Sequence, residues 1–324
     1  MIPAEWLIHA QSVLAEWTVR TPVTFDPDLR AYFKWENQQL TGSFKLRGAM
    51  NKIATLLPWE RELGLVTASA GNHGQGVAYA AREMGARAVI FASDHAAPVK
   101  VQAMRDLGAE VRLVPGGYTE AETAGLQFAH ESGRTWVSPY NDGRVIAGQS
   151  TIGLELADQI QPFDVQTVVV PVGGGGLISG VALAMRARNI KTRILGVQSE
   201  ATAVMHALFN KHSQESVTEW DSLADGLSGK IEADSMTIPL VQQVVDDLIL
   251  VNEDDIAAAI VFAWQKYSQI IEGSAAVTLA ALMTGKIPDL PAALVISGGN
   301  IQPEVHQALI ASRGGESRQS GGTT

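Results

Sequence analysis

The sequence predicts an α/β protein built on two open, mostly parallel sheets, each covered by helices. Three observations carry this. Short runs rich in Val, Ile and Leu recur with little polar alternation, as strands buried on both faces do. Segments of helical periodicity separate them, and strand, helix, strand at this spacing makes right-handed crossovers. Glycine-rich segments follow three of the runs, at the strand ends where open parallel sheets bind ligands.

Taken in order, the N-terminal MIPAEWLIHAQSVLAEW carries Glu5, His9 and Glu16 at helical spacing and no basic leader. It predicts an amphipathic helix rather than a signal peptide. Strands are expected at Ala31–Trp35, Leu65–Ala68, Ala88–Ala92, Glu110–Val114, Thr167–Pro171, Arg193–Gln198 and Ala292–Ser297. Helices are expected at Asn72–Met84, Val99–Leu107, Thr119–Glu131, Ile146–Ile160 and, as one long element, Asp254–Met283. The compact set of units over 64–136 is read as a small domain, with 1–63 and 137–324 forming a large one. Residues 312–324, SRGGESRQSGGTT, are polar and Gly/Ser-rich and are expected to be disordered. The uncharged stretch from Thr167 to Met185 is interrupted by Pro171 and four glycines, so it reads as strand, loop and helix, and no membrane partner is expected.

A chain of 324 residues with 46% hydrophobic and 18% charged residues suits one large domain or two ordinary ones and excludes a disordered chain. Lys plus Arg is 24 against 34 Asp plus Glu, a formal charge of −10, the wrong sign for a phosphate-backbone binder. No nucleic-acid partner is expected. The one dense basic stretch, Arg186, Arg188, Lys191 and Arg193, reads as cations answering a helix C-terminus. The absence of cysteine excludes disulfides, zinc-thiolate sites, iron–sulfur clusters and a thiol nucleophile, and fits a reducing cytoplasm.

Gly173, Gly174, Gly175 and Gly176, with Leu177, follow the expected strand Thr167–Pro171. Without Cβ atoms this backbone can approach a ligand, its successive N–H groups can converge on one anion, and the next helix adds its positive end. A phosphate monoester is the natural guest. The dinucleotide fingerprint G-x-G-x-x-G fails here, as do the P-loop around Gly285-Lys286 and the hydrolase elbow around Ser150. The seven histidines include no helical pair spaced for zinc. Two further segments lie at strand ends: Ser69-Ala70-Gly71-Asn72-His73-Gly74 and Ser297-Gly298-Gly299-Asn300.

Gly42-Ser43-Phe44-Lys45-Leu46-Arg47-Gly48-Ala49 opens a helix with Lys45 in its first turn. A cation there opposes the helix dipole, and a depressed lysine pKa is what a Schiff-base nucleophile needs. Together SFKLRGA, SAGNHGQG, GGGGL and SGGN, in this order, resemble the fold type II family of pyridoxal-phosphate enzymes, the tryptophan synthase β-like architecture. More narrowly, the chain resembles the serine/threonine dehydratase and serine racemase branch, with further matches at Ala147–Glu155, Leu223–Gly226 and Glu272–Ser274.

The resemblance implies that Lys45 holds pyridoxal 5'-phosphate as an imine and that Gly173–Leu177 cradle its phosphate. It further implies that Asn72 bonds the ring hydroxyl, Phe44 packs on the ring, Ser297 with Gly298 faces the ring nitrogen, and Glu272 lies close by. Ser69, Ala70, Gly71, Asn72 and His73, with Gly226, are implied to take the substrate. The implied reaction is β-elimination of water from L-threonine or L-serine to a 2-oxo acid and ammonia, with Lys45 as the α-proton base and the cofactor phosphate as acid. Related racemases carry serine at the position of Ala70, and a methyl group transfers no proton, which favours dehydratase over racemase. Dehydration of 3-hydroxyaspartate or phenylserine stays open, and so does a non-catalytic anion-binding module. Relatives with a divalent cation use a Glu, a backbone carbonyl and an Asp; the matching positions are Glu200, Val204 and His206, and histidine is a poor exchange for a hard-cation carboxylate. A homodimer is implied, and the lack of a regulatory module after Pro303 leads us to expect a catabolic enzyme.

Overall fold

The computed structural model describes residues 2–313. These form strands β1 (Val23–Asp26), β2 (Ala31–Trp35), β3 (Leu65–Ala68), β4 (Ala88–Ser93), β5 (Glu110–Val114), β6 (Thr135–Trp136), β7 (Thr167–Pro171), β8 (Arg193–Ser199), β9 (Asp247–Val251) and β10 (Ala292–Ile296). The helices are α1 (Ala4–Leu14), α2 (Lys45–Ala54), α3 (Pro58–Leu63), α4 (Asn72–Glu83), α5 (Pro98–Asp106), α6 (Tyr118–Ser132) and α7 (Gly143–Gln159). They continue with α8 (Gly176–Ala187), α9 (Val204–Phe209), α10 (Thr237–Val244), α11 (Glu253–Tyr267), α12 (Gly273–Met283) and α13 (Pro303–Arg313).

Six strands make a larger sheet in the order β1-β2-β10-β7-β8-β9, and four make a smaller one, β5-β4-β3-β6. All neighbours are parallel except β1 and β2. The smaller sheet lies wholly within Leu65 to Trp136.

Each central strand feeds two cores, which is why its sequence lacks alternation. In β7, Val168 and Val170 join the core beneath α7 and α8, while Val169 joins the core beneath α11 and α12. In β10, Ala293 and Val295 face the first core, and Ala292, Leu294 and Ile296 face the second. The smaller sheet repeats the scheme: Leu65 and Ile90 pack with α2 and α4, and Val66, Val89 and Phe91 pack with α6. The stretch from Thr167 to Met185 is strand, glycine loop and helix, and among the described residues no helix is long and apolar enough to cross a membrane.

Four departures from the sequence reading have physical causes. Strands β1 and β9 lie at the edges of their sheet and β6 at the edge of the other; β1 and β6 lack the apolar run of a doubly covered strand, and β9, apolar over Leu248–Val251, is only partly buried. The expected single helix Asp254–Met283 is two helices, because Ser268 turns left-handed (φ 54°) and ends α11, and Glu272 is extended ahead of α12. Helix α7 begins at Gly143, three residues early, because the Asp142 carboxylate caps it by accepting from the Arg144 and Val145 N–H groups at 2.7 and 3.1 Å. Ser312 and Arg313, expected within a disordered tail, belong to α13, and the rest of that tail, residues 314–324, lies outside the described residues.

Candidate active site

The C-terminal ends of β3, β7 and β10 face one cavity of about 490 Å³. The segment Ser69, Ala70, Gly71, Asn72 and His73 lines it, with Gly173–Leu177, Ser297, Phe44, Lys45, Gly226 and Glu272. Gly298 does not line it: its carbonyl accepts the Glu272 N–H at 3.1 Å and its backbone bridges Ser43, so it builds the wall from behind.

Lys45 is the first residue of α2, and Phe44 before it is tied by its N–H to the Ser297 carbonyl at 3.0 Å. The Lys45 amine donates to the Pro139 carbonyl at 3.0 Å and lies 5.3 Å from the Phe44 ring centre. Desolvation pushes it down to about 8, against the pull of the Glu272 carboxylate. A lysine so placed exchanges its proton near neutral pH and is nucleophilic when neutral.

The glycine loop admits no side chains. A Cβ on Gly174 would enter the Tyr140 ring, and Gly175 (φ +84°) stands in the left-handed region with Met205 Cε 2.9 Å from its would-be Cβ. With that side filled by protein, the loop offers backbone to the cavity, and α8 starts there with its free N–H groups and positive dipole end.

At α4, Ser69 Oγ accepts the Gly71 N–H at 3.1 Å, shaping the turn into the helix. The His73 ring is buried, its Nε2–H donating to the Val137 carbonyl at 2.9 Å; burial first, then the Lys45 charge, hold it down to about 3. Its imidazole is therefore neutral, and what it can offer a substrate anion is the backbone N–H of the first helical turn. Asn72 Nδ2 donates to Glu272 Oε1 at 2.7 Å. Burial, helped by the charge of Asp225, lifts Glu272 to about 7 against the Asn72 bond. Gly226 donates its N–H to Ser274 Oγ at 3.0 Å, closing the cavity from the α12 side.

Beneath the site, on the far side of α2, Arg47 is fully buried. Its guanidinium reaches Glu36 at 2.8 and 2.9 Å and Glu155 at 2.7 and 3.0 Å. Lys34 adds a bond to Glu155 at 2.5 Å, and Thr21 donates to Glu36. This network ties β2, α2 and α7 together behind Lys45.

The positions matched to a cation site lie in α9 and the turn before it. Glu200 is exposed, Val204 is buried in α9, and half-buried His206 donates its N–H to Gln198 Oε1 at 2.6 Å. No cluster of three or more His, Asp or Glu side chains suited to a metal occurs among the described residues.

Comparison with known proteins adds the decisive observation: the model of the family described as pyridoxal-phosphate dependent enzyme matches residues 17–298. The chain belongs to that family. It is 42% identical over 317 residues to the L-threonine ammonia-lyase of Thermotoga maritima, covering 96% of this chain and 78% of that protein. Among solved structures it is similar to the processed threonine deaminase isoform 2 of Solanum lycopersicum, with TM-score 0.86 and 32% identity, covering 96% of this chain and 93% of the other. Maize serine racemase also has TM-score 0.86, at 29% identity, covering 98% of this chain and 99% of the other.

The cavity fits the family's cofactor by its own chemistry. Pyridoxal phosphate presents an aldehyde and a phosphate monoester; the cavity presents a desolvated amine at Lys45 and a bare backbone loop at a helix start. Sequence reasoning missed Pro139 and Tyr140, which hold the Lys45 amine and the glycine loop, and gave no role to Asn300 of the SGGN segment, which bonds Asn72. Pro139 and Tyr140 follow the two-residue strand β6 with no glycine to mark them.

Proposed function

We propose that the chain eliminates water from L-threonine, and from L-serine, to give a 2-oxo acid and ammonia. The Lys45 amine held near pKa 8 on the same cavity as the glycine loop carries this reading. The names of the Thermotoga maritima and Solanum lycopersicum relatives support threonine as substrate.

Bound with its phosphate on Gly173–Leu177 and its aldehyde at Lys45, the cofactor supplies an electron sink for charge developing at the substrate Cα. The protein does the rest. The free N–H groups of the first turn of α4, at Asn72 and His73, hold the substrate carboxylate, with the helix dipole behind them. The neutral His73 ring adds no charge that would trap the anion too tightly. Lys45, once its amine is free, removes the α-proton; its depressed pKa leaves a useful neutral fraction at physiological pH. The Cα–H bond breaks with its proton passing to Lys45, the Cβ–O bond breaks with the hydroxyl leaving as water on a proton that the cofactor phosphate would supply, and a Cα–Cβ double bond forms; the enamine so released takes up water to give oxo acid and ammonia. Phe44 would pack on the ring, and Asn72, whose amide donates to Glu272, would face its hydroxyl. Ser297, a neutral hydroxyl, does not hold a proton on the ring nitrogen as a carboxylate would, which favours early loss of the β-substituent. Ala70 on the cavity wall carries no proton to return to Cα, which speaks against racemisation.

The same proposal includes a large domain of 1–63 and 137–324, a small domain of 64–136, a homodimer and a cytoplasmic site of action. The last two rest on the resemblance and on the cysteine-free sequence. The test is a panel of L-threonine, L-serine, D-serine, 3-hydroxyaspartate and phenylserine scored for ammonia and oxo acid. Oxo acid from L-threonine is expected; D-serine formed from L-serine, or no turnover of any substrate, would overturn the reading.

A further inference from the structure

Asn300, in the loop after β10, bonds two other segments of the site at once. Its Nδ2 donates to the Thr41 carbonyl at 2.9 Å and to Asn72 Oδ1 at 2.7 Å. A carbonyl only accepts, so the Asn300 nitrogen must face Thr41, and both its protons are then committed. The atom of Asn72 that meets it must in turn be the oxygen. That leaves Asn72 Nδ2 toward Glu272 Oε1, at 2.7 Å, where an acceptor stands ready. The orientation of the Asn72 amide is thus forced by a one-way chain that starts at a backbone carbonyl. Gly42, with φ +72°, makes room for it: a Cβ there would strike Asn300 Oδ1. Thr41 belongs to the segment that runs into Lys45, so one side chain joins the lysine segment, the start of α4 and the loop after β10.

We propose that Asn300 is a positioning residue that locks the Asn72 amide with its second Nδ2 proton aimed into the cavity, as a fixed donor to the oxygen substituent of the cofactor ring. Resting on the proposed function, the inference names a residue that need not touch cofactor or substrate. Without Asn300, Asn72 can rotate and present its oxygen, which repels an oxygen anion instead of binding it.

The experiment uses Asn300→Asp, which keeps the shape and removes both donors. Apoprotein melting is measured first, then pyridoxal phosphate affinity by quenching of tryptophan fluorescence. The expected result is a folded apoprotein whose pyridoxal phosphate affinity falls about ten-fold or more, the loss of one well-placed bond to a charged acceptor. Asn300→Ser replaces it should the aspartate variant fail to fold. Independently of any variant, the two Asn72 Nδ2 protons of the wild-type protein are followed by NMR during pyridoxal phosphate addition: one should shift strongly and the other little. A folded variant with wild-type affinity, or two Asn72 protons that do not move, overturns this inference alone. Wild-type protein that takes up no pyridoxal phosphate overturns the proposed function with it.

Discussion

Two cations stand two residues apart on α2, and their surroundings treat them in opposite ways. Arg47 is fully buried, but two carboxylates grip it, and burial, which alone would lower its pKa, is outweighed by Glu36 and Glu155, which raise it. Lys45 on the other side has one carbonyl and a distant carboxylate, and desolvation wins, bringing it down to about 8. The same helix therefore carries one charge built to stay and one built to be given up. Partners, more than depth, separate a structural cation from a reactive one.

The comparison breaks first at Lys45. Lys45→Ala should lose oxo-acid formation from L-threonine by roughly 10³-fold or more, with the attachment point and proton acceptor gone together. Next, the two sides of α2 should respond to methionine with opposite sign. Arg47→Met leaves Glu36 buried without its partner and should cost about 3–5 kcal/mol in urea unfolding. Lys45→Met should instead stabilise the apoprotein by about 1–3 kcal/mol below pH 8, because folding depresses that amine from 10.5 and so penalises its charged form. That gain should fade as the pH rises from about 8 to 10.5, where the unfolded-state lysine also loses its proton. Gly175→Ala, forced to φ +84° against Met205, should cost about 1–2 kcal/mol and weaken pyridoxal phosphate binding, measured by equilibrium dialysis. The smallest effect sharpens the electrostatics. Glu272→Gln removes the charge that raises Lys45, so the pH at which the amine begins to capture the aldehyde should move down by up to about one unit.

Much of this was legible in the sequence because it is local. The doubly covered strands β2, β3 and β7 have the expected bounds, since an unbroken apolar run tells where both faces are buried. The segments around Lys45, Asn72, Gly174 and Ser297 meet at one cavity because parallel strands deliver their C-terminal ends to one side. What escaped is what depends on distant partners. The edge strands β1 and β6 are held by pairing, not by composition. The break ahead of α12, which brings Glu272 to the cavity, rests on one left-handed serine inside an apolar helical pattern. Lys34, Glu36, Arg47 and Glu155 come from β2, α2, α7 and the turn between them, and no spacing announces that they will meet. Gly298, expected at the cofactor, supports the wall instead, because its backbone is used by Ser43 and Glu272.

The most direct test asks where pyridoxal phosphate attaches. The protein is loaded with it, reduced with borohydride, digested and mapped by mass spectrometry. The added pyridoxyl mass should sit on the peptide containing Lys45 and on no other lysine. Label on Lys34, Lys100 or Lys230, or no label at all, would contradict the account.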